Sequence, residues 1–416
     1  MKNPGLERFP LGFWGTLDAN LAPADQPAEW AEMGMTLTMG HCYNHGETDK
    51  AHFTAMLDSA QQHGVRIILC DKRAGARELR TLGEDGYRRQ LQEVIDDWGT
   101  HPAIWGVHLG DEPDAADYEL FVKAIRMLRE MAPQWEPYAN LLPWFPHMEE
   151  HVNAADWPSY LDGFVRDSGI RFLSYDCYTQ MRSDPEALPI YFRNLKLYGD
   201  AARRNNIPFW TILLSVPHFQ YRDPSLDDIR WQFNTALACG AKGISWFFIY
   251  CQQIWNSNYR NAPVNQVGRK TQGYYNISDV QNIFWHTLGP VMNRLALQKV
   301  YHIGQAYGGF ELFCGDEEVA LTGGPQKMIM SYFSDEDDPT WKYILLVNNS
   351  CTENVNYTLT LRGADVQAEQ LTHNDIWRPM CGALHDDGEV IRTQDTLQLP
   401  HWYAPGQAIL YRYRRP

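Results

Sequence analysis

Two carboxylates, Asp111 and Glu112, close the apolar run IWGVHLGDEPD at residues 104–114 and stand directly before Pro113. Charge at the end of a buried strand is costly, so the pair calls for a partner or a reaction. A second run, RFLSYDCY at 171–178, carries Asp176 near its end, and VRIILCD at 65–71 finishes on Asp71. Side chains along a strand alternate between its faces. On 104–112 the alternation groups Trp105, Val107 and Leu109 on one side, and Ile104, Gly106, His108, Gly110 and Glu112 on the other. Glu112 is then expected to face a pocket, with Asp111 turned away to brace a neighbouring loop. On 171–178 it sends Leu173, Tyr175 and Cys177 outward, and Phe172, Ser174, Asp176 and Tyr178 inward. Two carboxyl groups facing one pocket can divide their roles, because proximity and partial burial push their pKa values apart. One holds a proton for a leaving oxygen, while the other, ionised, serves as nucleophile, base or charge stabiliser; glycoside hydrolysis needs this pair. The competing reading of each carboxylate is an ion pair with an arginine such as Arg73 or Arg182.

The elements that must hold these groups recur regularly. Strand-like runs at 11–16, 35–41, 65–71, 104–112, 137–143, 171–178, 209–215 and 243–250 alternate with amphipathic stretches of helical period. The stretch 223–243 is the clearest helix, with Ser225 as its cap, Asp227 and Asp228 in its first turn and a glycine at its end. Eight strand–helix units in series predict an α/β fold, a closed (β/α)8 TIM barrel, whose chemistry sits at the carboxyl ends of its strands. The stretch 282–304 is read as the last barrel helix and a connector, and 257–276 as a long polar loop on the functional face. Beyond it, β-rich segments separated by turns predict a C-terminal antiparallel β-sandwich. The expected domains are residues 1–300 for the catalytic barrel and 301–416 for the sandwich.

Composition narrows the partners. A formal net charge of −15 over 416 residues argues against nucleic acid and anionic membranes, which require basic surfaces. The start of the chain shows no signal-peptide pattern, and no apolar stretch is long enough to span a bilayer. Eight scattered cysteines without a CxxC spacing read as reduced thiols in a cytoplasmic protein. His41, His45 and His108 permit a metal-dependent barrel hydrolase to be considered, but no H-E-x-x-H spacing is present, so no metal and no cofactor are expected. Fifteen Trp, 22 Tyr and 17 Phe leave some rings to line a groove, where flat faces stack on sugars. Asp71, His41, Asn140, Tyr178, His218 and Trp246, at or near strand ends, are the expected substrate contacts, with Ser215 beside them.

HPAIWGVHLGDEP (101–113), followed by YANLLP, SYDCY and GAKGISWFFIY, resembles the barrel glycoside hydrolases of clan A, broadly the family 42 β-galactosidases, over roughly residues 8–300. The resemblance implies an acid/base glutamate at the end of the fourth strand, which carries over to Glu112, with Asp111 where the clan usually has Asn. It also implies a nucleophilic Glu ending the seventh strand. Here the sequence departs: FWTILLSVPHFQYRD offers no Glu, and its first carboxylate is Asp223. The SYD of the sixth strand is similar instead to clans that use the fourth and sixth strands, such as barrel α-galactosidases and α-glucosidases. It is also similar to the Tyr-Asp pair of family 18 chitinases, which use the substrate's own acetamido group. The expected activity is hydrolysis of an oligosaccharide or small glycoside, with Glu112 and Asp176 catalytic. A non-catalytic carbohydrate-binding protein is the rival, and a homo-oligomer is left open.

Overall fold

The computed structural model describes residues 2–15, 17–251, 258–324, 327–384 and 388–415. The chain divides into two compact units, residues 1–224 with 242–281, and residues 225–241 with 282–416. Among the described residues the first holds nine short strands: β1 (Leu11–Phe13), β2 (Leu37–Thr38), β3 (Cys42–Tyr43), β4 (Arg66–Asp71), β5 (Ile104–Asp111), β6 (Glu136–Asn140), β7 (Leu173–Asp176), β8 (Phe209–Leu214) and β9 (Gly243–Phe247). All pair in parallel, in one sheet ordered β1-β9-β8-β7 and another ordered β2-β4-β5-β6, with β3 added to β4. Main-chain bonds join the sheets at both seams, from Thr36 N–H to Leu11 O and from Leu141 N–H to Ser174 O, each 2.8 Å. The eight expected strand segments are present, and β3, directly after the second, is a short strand outside them.

Helices connect the strands where the apolar period demands them. Lys50–Gln62 starts at Asp49, whose carboxylate caps the Ala51 N–H. Tyr118–Met131 buries Phe121, Val122, Ile125 and Leu128, which recur at helical spacing. Aromatic rings fill the inner side of the strands. Trp105, Tyr138, Phe172 and Trp210 cluster with Leu37, Met39 and Ile68, and the Phe172 and Trp210 rings stack at 4.3 Å.

Strand β5 departs from the alternation read off its sequence. Its register shifts against β4 between Ile104 and Gly106, so that Trp105 is an extra residue. It shifts again against β6 between His108 and Gly110, making Leu109 the second. Each bulge reverses parity. Trp105, expected on the helix side, therefore lies inside, stacked on Trp210 at 5.3 Å. The second bulge pairs Asp111 with Asn140 and turns it inward, opposite to expectation. Gly110 makes this turn at φ +147°, and a Cβ there would stand 2.5 Å from the Phe121 ring. Gly110→Ala is expected to cost roughly 1–3 kcal/mol through overpacking, to be checked by urea denaturation.

The second unit takes its helix Leu226–Ala238 from the middle of the chain. Ser225 caps it in a reciprocal capping box with Asp228. Its strands are β10 (Ala296–Ile303), β11 (Glu311–Leu312), β12 (Val319–Gly323), β13 (Met328–Ser334), β14 (Lys342–Asn348), β15 (Val355–Arg362), β16 (Gln367–Leu371), β17 (Trp377–Pro379), β18 (Ala383–Leu384), β19 (Gly388–Glu389), β20 (Ile391–Arg392), β21 (Thr396–Tyr403) and β22 (Ala408–Arg414). A sheet ordered β11-β10-β13-β14-β22-β16-β17 and another ordered β12-β15-β21-β20 share one apolar core. Met330, Ile344 and Tyr411 enter it from the first sheet, Val319, Leu359 and Leu399 from the second. Alternation along β15, with Val355, Tyr357, Leu359 and Leu361 inward, gives this two-sheet packing. The stretch 282–304 is not only helix and connector, because Ala296–Ile303 is strand β10 and pairs antiparallel with β13. Of the loop expected at 257–276, residue 257 lies outside the described residues, and a helix already begins at Gln272.

Candidate active site

The carboxyl ends of β5, β6 and β7 bring together Asp111, Glu112, Asn140, Asp176 and Tyr178. Asn140 is the hinge of the group. Its Nδ2 donates to Asp111 at 3.0 Å and to Asp176 at 2.8 Å. Its Oδ1 accepts from the Ser174 hydroxyl at 3.0 Å, which leaves Tyr138 to donate to Ser174. That relay fixes the amide orientation from below and aims its N–H groups at the carboxylates. The main chain adds to it, with the Glu112 N–H donating to Asn140 O at 2.8 Å. Glu112 itself sits at φ +47°, so its side chain leaves the strand direction at the rim. Arg77 donates to the Asp111 carbonyl and pairs with Asp117.

Burial dominates the electrostatics. It pushes the Asp176 carboxyl well above the usual range; Glu112 and Asp111 push it further, against hydrogen bonds from Asn140 and Tyr178. Asp111 is raised mainly by burial, against Asn140 and Arg77. Glu112 is pushed up to about 7, by burial first and then by the Asp111 charge. Burial and like charge together favour the protonated form within this group. Below them His108 packs edge-on against Trp14 at 5.1 Å, and burial lowers its pKa to about 4. Tyr178 stacks on Phe247 at 5.3 Å and lies beside His218, 6.0 Å between ring centroids. His218 is enclosed by Tyr221 and Tyr259, and its Nδ1 bonds Val216 O.

Asn140→Ala would leave two half-buried carboxyl groups without their common donor. It is expected to lower stability by about 1–3 kcal/mol, read as a shift in the urea midpoint at unchanged slope.

Three expected contacts lie elsewhere. Asp71 points to the helix side, where Arg73 pairs with it at 2.8 Å and Trp98 Nε1 donates to it at 3.2 Å. Its place on β4 is one step past Cys70, which faces inward, so parity alone turns it out. His41 is packed among Phe13, Trp30 and Tyr250 and bonded to Gln26. Burial lowers its pKa to about 3. Trp246 is fully buried and directs its Nε1 to Gln281. Ser215 donates to the Phe248 carbonyl. Among the described residues no three His, Cys, Asp or Glu side chains converge on a metal position. A cleft of about 450 Å³, lined by Gln26, Glu29, Tyr250, Asn265 and Lys270 among others, is built from none of the five residues gathered by Asn140.

Comparison with known structures places the architecture. No protein-family model and no curated protein matches the sequence. The solved structure of a glycoside hydrolase family 5 protein from Bacteroides vulgatus matches with a TM-score of 0.60 at 11% identity, over 99% of this chain and 90% of that one. Another, described as a glycoside hydrolase, matches with a TM-score of 0.59 at 11% identity, over 98% and 92%. Its fold is one that glycoside hydrolases use. A β-galactosidase from the psychrophilic Marinomonas ef1 aligns at a TM-score of 0.47 and 12% identity, over 66% of this chain. The present chain spans 59% of that enzyme's length, less than two thirds.

The sequence reading had named Glu112, Asp176, Asn140, Tyr178 and His218, and the structure gathers these on one side of the mouth. It turned Asp111 away from the pocket and did not name Trp14 or Phe247. The available signal for Asp111 was Gly110, since a glycine inside a strand marks a bulge and a bulge changes which carboxylate faces in.

Proposed function

We propose that the protein hydrolyses glycosidic bonds, with Glu112 as general acid/base and Asp176 as nucleophile or charge stabiliser. The reading takes the two parallel sheets as one closed (β/α)8 barrel of the clan A kind, working at the carboxyl ends of its strands. The observation that carries it is the joining of Asp111 and Asp176 through Asn140, with Glu112 beside them, in a fold that glycoside hydrolases use. Glu112 is given the proton because its pKa of about 7 keeps it substantially protonated at neutral pH. Burial and the neighbouring carboxylates raise the Asp176 pKa, so its negative charge in this reading relies on the donors from Asn140 and Tyr178 together with the positive charge that grows on the bound sugar. Departure of the leaving oxygen then takes the Glu112 proton while positive charge grows at the anomeric carbon next to Asp176. Asp111, bonded to the same amide, holds Asn140 in place and raises the Glu112 pKa. The substrate is an oligosaccharide or small glycoside, and eight free thiols favour a reducing compartment such as the cytoplasm.

A panel of chromogenic aryl glycosides in both anomers tests the proposal. Hydrolysis of at least one by the wild-type protein, at a rate the Asp176→Asn variant does not reach, is the expected result. Saturable binding of sugars without turnover would favour a carbohydrate-binding protein instead, a reading that rests on β8 ending at Leu214 with Ser215, not a carboxylate, beyond it.

A further inference from the structure

Two cysteines face each other across adjacent strands at the same mouth. Cys42 of β3 and Cys70 of β4 are register partners in a parallel pair, followed by Tyr43 opposite Asp71. Tyr43 and Asp71 both meet Trp98 on the helix side, at 4.9 Å between rings and 3.2 Å to the indole N–H. Alternation therefore sends both thiols to the inner side, where Cys70 packs with Trp14 on the aromatic cluster. Both are free and half-buried. Cys42 Sγ reaches toward Gly15 O at 4.0 Å; the presence of Cys70 draws the Cys42 thiol pKa down, Cys42 and burial push the Cys70 thiol up, and Lys72 favours the anion at both. No other cysteines are register partners among the described residues.

Geometry decides what such a pair can take. Parallel strands run about 4.8 Å apart, and register partners leave the sheet side by side. A disulfide needs Cβ atoms about 3.5–4.5 Å apart, which this pair meets only if a strand shifts. A single atom bonded to each sulfur at about 2.3 Å, the usual metal–thiolate length, spans the gap with the strands in place. Soft, thiophilic centres are the ones that thiolate pairs select.

We propose that Cys42 and Cys70 form a two-sulfur clamp for a thiophilic centre of low coordination number, such as a soft monovalent cation or a trivalent arsenical, on the wall of the barrel mouth. With phenylarsine oxide the balance is simple. The arsenic oxide oxygen leaves as water with both thiol protons, two arsenic–sulfur bonds form, and nothing is oxidised or reduced. The site does not depend on the glycosidase reading.

The test uses the whole chain and one equivalent of phenylarsine oxide, followed by a monothiol wash and intact-mass analysis. One phenylarsenic group per chain should survive the wash and be removed by a dithiol. It should vanish in both Cys42→Ser and Cys70→Ser and persist in Cys314→Ser, because the exposed Cys314 can hold arsenic by only one bond. In the wild-type chain, which needs no variant to fold, tryptic digestion should show arsenic joining peptide 9–50 to peptide 67–72. Absence of a wash-resistant adduct, its presence on other cysteines, or its survival in Cys42→Ser would overturn the clamp.

Discussion

Glu112→Gln should lower kcat/KM for glycosides with poor leaving groups by about 10²–10⁴, the usual contribution of a positioned general acid, while dinitrophenyl glycosides lose far less. The asymmetry follows from the role. An activated phenolate leaves without a proton, so removing the proton donor spares it. The pH profile carries the same signature. With the Glu112 pKa near 7, kcat/KM of the wild-type protein should fall on the basic side with a midpoint near that value, and the variant should lack that limb. Asp111→Asn removes the charge that, after burial, most raises Glu112, so the limb should move toward acid. Glu112→Gln should change stability in the opposite sense to activity. The Glu112 carboxyl is raised in the folded state from an ordinary 4.5 to about 7, so between those values the folded chain binds the extra proton and stability falls as pH rises. Above pH 7 the loss is about 3 kcal/mol at most, less after solvent screening of a half-buried group. Glu112→Gln should therefore be more stable than wild type at pH 8 and equal to it below pH 4.5, measured by urea denaturation at each pH. A variant that kept normal turnover of an alkyl glycoside would remove Glu112 from the mechanism.

How much of this was legible in the sequence depends on which physical rule governed each residue. Periodicity alone gave the parallel strand–helix alternation and the inward set Phe172, Ser174, Asp176 and Tyr178, because β7 pairs with β8 without irregularity. Ser225 was readable as a cap because its hydroxyl and Asp228 act within four residues of each other. Trp105 and Asp111 were misplaced because one is the extra residue of a bulge and the other lies past a second, and a bulge is decided by the neighbouring strand as much as by β5 itself. Asp71, His41 and Trp246 lie apart from the carboxylate group for a different reason. Ending a strand fixes height along the sheet, not facing, and these three turn to partners distant in sequence: Trp98 for Asp71, Gln26 for His41, Gln281 for Trp246. Strand β10 was hidden because it follows directly on helical segments, and pairing with β13, not local propensity, defines it.

Asp176→Asn should lower kcat/KM by about 10³ or more, taking the loss of one preorganised electrostatic group, about 10²–10³, as the floor. Unlike Glu112→Gln, it should do so for activated and unactivated leaving groups alike, because the charge it opposes develops at the sugar and not at the departing oxygen. The amide also disturbs the group beneath it. Asn140 offers both its N–H groups to Asp111 and Asp176, so an amide at 176 must accept there through its one oxygen and leave its own N–H groups facing Tyr178. A loss of kcat with little change in KM would then mark a group that acts at the transition state, whereas a rise in KM alone would mark a sugar contact. Azide with Asp176→Ala separates the two catalytic roles. A nucleophile that has been removed leaves room for the small anion to attack the anomeric carbon, so turnover should recover with formation of a glycosyl azide of inverted configuration. A residue that only orients the substrate's own acetamido group leaves no such opening, and activity would stay low at any azide concentration. In that case only 2-acetamido sugars would be substrates of the wild-type protein, and the hydrogen bond from Tyr178 to Asp176 would serve to hold that group against the reacting carbon.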